Sequence, residues 1–336
     1  MKRIFIDKKI TELSKTYSKN LFLNRNTNGR RGPKFEMPLK KLEKLEKKLQ
    51  KEKATMQYAD YVSVIINKYS ILKKIKPHYF DCFDKKYFQL FNTIDLDSHP
   101  IPGEKKFYEL IVDAMRYDEA RTEFLPYARK LGIKACVYCN TQLAATVGKD
   151  DTSLKGMYEL DHFYPKSKYP YLCTSFFNLQ PVCAYCNKSK NDNKAMFSLY
   201  STDYNKINPF GFKLDKKSLI KYMLNQNCED LKVNFDSAEI DPATRVKLID
   251  DHNKHFHISE LYETQKDLAE EIVWKSKIYN KSYQTILKKS FSKLSLKQSD
   301  FNRLIIGNYD KIEDVHKRPM AKFIQDIARQ LKLIEN

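Results

Sequence analysis

The sequence predicts a mainly helical chain, α+β overall, with one small module of mixed structure near its middle. Three observations carry this expectation. Only 8 glycines fall in 336 residues, and apolar residues recur at helical spacing over long stretches. Aromatic residues make up 13% of the chain, too many for a disordered protein. Residues 134–200 interrupt the helical pattern with short apolar runs, turn residues and four spaced cysteines. The chain is therefore divided into a basic, mostly helical region at 1–133, a chemical module at 134–210 and a helical region at 211–336.

The first region is the most basic. Residues 1–53 hold 17 Lys and Arg against 6 Asp and Glu, a large share of the net charge of +19. A surplus of that size favours a polyanionic partner, nucleic acid before a membrane surface. The opening "MKRIFIDKKITELSK" has no apolar run behind its basic residues, so no secretory signal is read. "NRNTNGRRGPKFEMP" (24–38) reads as a loop. "LKKLEKLEKKLQKEK" (39–53) then sets Leu39, Leu42, Leu45 and Leu49 in a narrow stripe on a charged helix. That pattern fits a solvated helix docked by its leucines better than a partner-binding helix.

Residues 54–133 keep helical spacing, with a break at "SHPIPGEK" (98–105). Within them "YVSVIINKYSIL" (61–72) is the most apolar run; it carries Lys68 and falls short of the roughly 20 residues that span a bilayer. No membrane association is expected, and the location expected is cytoplasmic. From about residue 213 helical periodicity resumes. It is clearest near the end, where Met320, Phe323, Ile324, Ile327, Ala328 and Leu331 share one face.

The module between these regions holds two knuckles, "CVYC" (136–139) and "CAYC" (183–186). Each places two thiols on one side of a tight turn, and two knuckles complete a tetrahedral Zn²⁺ site. Four thiolates leave no open position for water, so Cys136, Cys139, Cys183 and Cys186 are expected to bind a structural zinc. The seven cysteines are an odd number in a chain read as cytoplasmic, which disfavours a disulfide framework.

Between the knuckles, "MYELDHF" (157–163) reads as a strand ending in Asp161 and His162. "YPKSKYPYLCTSFF" (164–177) reads as a loop, "NLQPV" (178–182) as a second strand, and "AYCNKSKND" as a helix start. This order can aim Asp161, His162 and Asn187 at one spot. Two of them offer oxygen to a hard divalent cation, and the third is a base that titrates near neutrality.

The ordered pieces Cys-x-x-Cys, Asp-His, Asn and Cys-x-x-Cys-Asn-x-x-Lys resemble HNH endonucleases, whose fold is the ββα-metal module. The resemblance implies that His162 is the general base and Asn178 the residue that orients its loop. It further implies that Asn187 is the last ligand of a catalytic cation, with Asp161 sharing that cation. Asn stands where many members have His, and its harder oxygen favours Mg²⁺ or Mn²⁺. The run "DHFYPKSKYP…NL…CAYCNKSK" is further similar to the HNH subunits of Septu-type and retron-associated phage-defence systems. Those subunits act with an ABC-type ATPase, so a partner ATPase is implied. The function expected is phosphodiester hydrolysis of nucleic acid, with DNA favoured and RNA, tRNA included, left open. Lys166, Lys168 and Lys190 are candidate phosphate contacts.

A zinc-ribbon module that binds nucleic acid without catalysis is the competing reading, as is an adaptor that docks an ATPase. Asp161, His162, Asn178 and Asn187 in register argue for catalysis. His252, His255 and His257 read as an exposed turn rather than a metal site. Cys82, Cys173 and Cys228 read as buried or loop thiols, and Trp274 as core or interface.

Overall fold

A computed structural model of the chain describes residues 1–26, 35–79, 94–150, 153–238 and 241–334. Asp7 opens the first helix: its carboxylate accepts from the Ile10 amide at 2.7 Å, satisfying a donor the helix cannot. Helix α1 (Lys8–Asn20) turns Ile10 and Tyr17 inward. Pro38 starts α2 (Pro38–Leu49), which buries Leu42, Leu45 and Leu49 against α3 (Met56–Leu72), while Leu39 stays partly exposed. The leucine stripe is thus covered within the chain. Turns occupy the expected break at 98–105, and three short helices follow: α4 (Phe107–Ala114), α5 (Tyr117–Glu123) and α6 (Leu125–Lys130).

The middle of the chain holds the small sheets. Strands β2 (Ala145–Val147) and β3 (Lys155–Met157) form one antiparallel pair. Strands β4 (Glu159–His162) and β5 (Leu179–Val182) form another, with His162 opposite Leu179 and Asp161 opposite Gln180. Helix α7 (Ala184–Lys190) follows β5 at once, with Cys183 as its N-cap. The short strand β1 (Ile4–Phe5) runs parallel to β6 (Tyr200–Ser201), which fastens the start of the chain beside this unit.

The third region is not purely helical, as its spacing suggested. Strands β7 (Phe210–Leu214) and β8 (Val233–Ser237) pair antiparallel around α8 (Lys216–Asn225). Phe210, Phe212 and Leu214 point inward while Lys213 is exposed, a two-residue period too short to outweigh the helical patterns on either side. Further along lie α9 (Pro242–Phe256), α10 (Ile258–Glu263), α11 (Lys266–Ile278), α12 (Lys281–Ser290), α13 (Gln298–Ile306) and α14 (Ala321–Gln330). Helix α14 buries Phe323, Ile324, Ile327 and Ala328, the face its spacing marks. The mostly helical, α+β character read from the sequence is therefore observed.

The module does not rest on a core of its own. One continuous apolar cluster joins Tyr17, Ile65, Phe124, Phe176, Phe256 and Phe323 from all three regions. The third region also holds the first knuckle by hydrogen bonds. Tyr262 Oη donates to the Cys139 carbonyl at 2.7 Å, and His252 Nε2 lies 2.9 Å from the Tyr138 carbonyl. Asn140, in the left-handed region at φ 60°, donates to the Val315 carbonyl at 2.9 Å and accepts from the Lys322 amide at 3.0 Å. His252 and His255 are consequently buried in α9, and only His257, its C-cap, is exposed. The expected exposed turn is a helix because Asp241 caps it and Pro242 starts it. Among the described residues no helix is long and apolar enough to cross a membrane.

Candidate functional site

The four knuckle cysteines converge. Their sulfur atoms all lie within 4.8 Å of one another, and all four residues are buried. Cys139 Sγ and Cys183 Sγ, one from each knuckle, are 4.0 Å apart. A tetrahedral zinc with Zn–S bonds of about 2.3 Å sets sulfurs about 3.8 Å apart, so the group fits Zn²⁺. Thr141 Oγ1 donates to Cys139 Sγ at 3.2 Å and the Cys186 amide to Cys183 Sγ at 3.5 Å. Such outer donors orient thiolates and disperse their charge. Bound there, zinc supplies a crosslink between residues 136–139 and the start of α7.

Tyr138, between the first two cysteines, carries this knuckle into the β4–β5 pair. It is fully buried, and its Oη donates to Asp161 Oδ2 at 2.6 Å. Gln180 Nε2 donates to the same Oη at 2.6 Å, while Gln180 Oε1 accepts from the Leu199 amide at 2.6 Å. On the other side of Asp161, Lys190 Nζ lies 3.0 Å from Oδ1. That ammonium also donates to the His162 carbonyl at 2.9 Å. Burial pushes the Asp161 carboxyl above its ordinary range, against the pull of Lys190 and Tyr138.

His162 ends β4. Its Nε2 is 3.0 Å from the Cys173 carbonyl, an acceptor only, so Nε2 carries the proton and Nδ1 holds the free lone pair. The ring packs 4.7 Å from that of Tyr117, whose hydroxyl donates to the Leu160 carbonyl at 2.9 Å. Burial lowers the imidazole pKa to about 3, and the cations Lys166, Lys190 and Arg121 push the same way. At neutral pH the ring is uncharged, and it is not the base titrating near neutrality that the sequence led us to expect, because burial disfavours its charged form.

Asn178 holds the loop that supplies the Cys173 carbonyl. Its Oδ1 accepts from the Tyr164 amide at 2.8 Å. Its Nδ2 donates to the carbonyls of Tyr164 and Leu172, each at 3.1 Å. A fully buried amide making these three bonds closes residues 164–178 on themselves.

Asn187 lies half-buried on α7, one turn before Lys190. Of the three lysines expected to meet phosphate, Lys168 is exposed and Lys166 is half-buried, 4.9 Å over the Tyr117 ring. Lys190 is placed otherwise: it is wholly buried, paired to Asp161, because its side chain points into the strand pair. The residues around His162 that sequence reasoning missed are Tyr138, Gln180 and Tyr117. Only Tyr138 carries a visible signal, as a large aromatic inside a knuckle.

Of the single cysteines, Cys173 is buried and Cys228 half-buried, while Cys82 lies outside the described residues. Trp274 is partly exposed and donates to the Tyr222 hydroxyl at 2.6 Å. No known protein family, curated protein or solved structure matches the chain.

Proposed function

We propose that the chain is a phosphodiester hydrolase of the HNH class, acting on nucleic acid. The observation that carries this reading is the fixed tautomer of His162. With Nε2 tied to the Cys173 carbonyl, Nδ1 is the ring's acceptor and the atom that would take a proton, although burial weakens it as a base in the absence of substrate. The strand–loop–strand–helix order β4, 164–178, β5, α7 supports the same reading, since it carries His162, Asn178 and Asn187 in the order of the ββα-metal module.

In the reaction Nδ1 of His162 takes a proton from water as that water attacks phosphorus, and the 3′ oxygen leaves as its bond to phosphorus breaks, taking a proton from solvent to become the 3′ hydroxyl. General-base help of this kind contributes about 10²- to 10⁴-fold. A phosphodiester brought beside the ring adds negative charge, which opposes the depression of its pKa and strengthens it as a base. Asn178 preorganises the ring through the loop, and Lys166 and Arg121 supply positive charge nearby.

The Mg²⁺ or Mn²⁺ implied by the resemblance does not fit Asp161 as arranged. Oδ2 accepts from Tyr138, and Lys190 Nζ lies 3.0 Å from both carboxylate oxygens, so its ammonium already neutralises the group. Among the described residues only the four cysteines gather as a group of three or more His, Cys, Asp or Glu side chains. A cation on Asp161 and Asn187 therefore requires Lys190 to withdraw.

The reading extends to a partner ATPase. Helix α12 has no buried residue, and its Tyr283 and Ile286 stand exposed on one face with Phe291 just beyond. The helix is docked through Leu287 and through Gln284, which donates to the Leu333 carbonyl at 3.1 Å, so its exposed apolar face is left for a covering partner. The test is cleavage of duplex DNA, single strands and tRNA by purified protein, alone and with an ABC-type ATPase encoded beside it. Each assay is run with chelator, Mg²⁺ or Mn²⁺. Cleavage lost in His162→Ala supports the reading; no cleavage of any substrate in any arm defeats it.

A further inference from the structure

A groove of about 1250 Å³ lies apart from the cysteine cluster and is lined by none of Tyr138, Asp161, His162, Asn178 and Lys190. Its walls are β1, the first half of α1 and residues 130–132, with Tyr204 and Ile207 opposite. Lys2, Arg3, Lys8, Lys9, Lys130 and Lys317 all line it, at the amino end of α1, whose first turn contains no acidic residue. Its three acidic side chains include Asp7, which caps Ile10, and Glu12, which pairs with Lys15.

The basic groups differ in kind. Lys8 and Lys9 are exposed, and among the described residues neither has an ion-pair partner. Lys2 is only 7% exposed and feels Glu313 and Asp314, yet among the described residues its ammonium reaches no hydrogen-bond acceptor. Arg3 is held in place, donating to the Lys206 carbonyl at 3.0 Å. Lys2 lines the groove, so its ammonium is open to an anion that enters there.

An aromatic pair stands beside these cations. Phe5 meets Tyr204 edge to face at 5.4 Å, and Tyr204 is 60% exposed. A tyrosine ring held by a neighbour yet open to water is a platform for a planar ligand. Cations that suit phosphates next to a ring that suits a base describe a strand with unpaired bases, since a duplex hides its base faces inside the stack.

We propose that this groove binds single-stranded nucleic acid, with phosphates on Lys2, Lys8, Lys9 and Lys130 and a base stacked on Tyr204. The proposal deepens the nuclease reading, on which it rests for the role of the strand as substrate. Strand β6, paired to β1 beneath the groove, directly follows Leu199, whose amide is bonded to Gln180. The groove and the His162 site thus share one scaffold.

The experiment measures binding of a short fluorescein-labelled oligothymidylate and of a matched duplex by anisotropy, across a salt series. It uses the full chain carrying His162→Ala, alone and combined with Lys8→Glu/Lys9→Glu or Tyr204→Ala. Circular dichroism checks that these surface variants fold. The lysine reversal should weaken single-strand binding at least about tenfold. It should also flatten the log–log salt slope by about 1.4, since each of two phosphates no longer neutralised accounts for about 0.7. Tyr204→Ala should weaken binding about fivefold or more. Indifference to all three substitutions, tighter binding of duplex, or no binding overturns the proposal. Cleavage by the protein with His162 intact is measured in parallel. Groove-dependent binding without any cleavage defeats the nuclease reading and leaves the groove standing; cleavage with groove-independent binding does the reverse.

Discussion

Tyr138 Oη donates to Asp161 Oδ2 at 2.6 Å, which ties a residue inside the first cysteine knuckle to the residue preceding His162. The four-cysteine cluster and the candidate base are therefore parts of one buried framework. Tyr138 is held from three further sides: by Gln180 at its hydroxyl, by His252 at its carbonyl and by the stacked Phe256 ring at 4.3 Å.

Removing that hydroxyl should be felt as lost stability. Tyr138→Phe leaves Asp161 Oδ2 and the Gln180 amide short of a partner, each buried. The expected loss is about 1–3 kcal/mol, read by urea denaturation, with zinc content unchanged. A variant as stable as the parent means that the bond is not formed in solution.

Zinc should be found at about one ion per chain in protein purified without added metal. Cys139→Ser should lose it and unfold at lower denaturant, because the crosslink between the first knuckle and α7 is gone. Four thiols that titrate freely with the fold intact and no chelator present contradict the site.

Lys190 is the buried partner of Asp161, and Lys190→Met should destabilise the chain by about 3–5 kcal/mol near neutral pH. The loss should shrink on acidification. Asp161 has its carboxyl pKa raised above the ordinary 3.8. Between those values the folded state binds the proton and the unfolded state does not, so this group lowers stability as pH rises through that window. Without the ammonium the window widens upward. Denaturation curves of parent and variant at neutral and mildly acidic pH give the comparison; a gap that does not narrow in acid contradicts it.

The buried histidines act with the opposite sign. His162, His252 and His316 all have pKa values lowered from 6.5 to about 3, mainly by burial. Below pH 6.5 the unfolded chain takes protons that the folded chain refuses, so stability falls as pH drops, by up to about 1.4 kcal/mol per unit for each ring. His316→Gln should remove one ring's share of the slope. A slope identical to the parent's means that His316 is accessible to protons in the folded state.

Much of the site was legible because its signals are local. Two knuckles of fixed spacing mark a four-thiol cluster whatever surrounds them, and the four sulfurs do converge. The strand ending at His162, the loop, the strand from Leu179 and the helix from Ala184 follow from short runs with turn residues between them. The unread parts depend on distant residues. Lys190 looks like any other lysine in a lysine-rich chain, and only the fold turns it inward to Asp161. Strands β7 and β8 pair across an intervening helix, so neither run identifies its partner. His252 is buried because a carbonyl far away in the sequence, that of Tyr138, receives its Nε2.

Asn178→Ala should destabilise the chain by about 3 kcal/mol, because the Tyr164 amide and two carbonyls lose a buried partner together. The loop carrying the Cys173 carbonyl should then exchange its amide hydrogens faster, read by hydrogen exchange over 164–178. Exchange unchanged from the parent contradicts the loop-holding role.

The most direct measurement is cleavage of nucleic acid by the parent chain and by His162→Ala at matched zinc content and helicity. The parent should cleave, and the variant should lose about 10²- to 10⁴-fold or more of that rate while binding the same strand. A His162→Ala chain that cleaves at the parent's rate contradicts the assignment of His162 as the base, and with it the central claim.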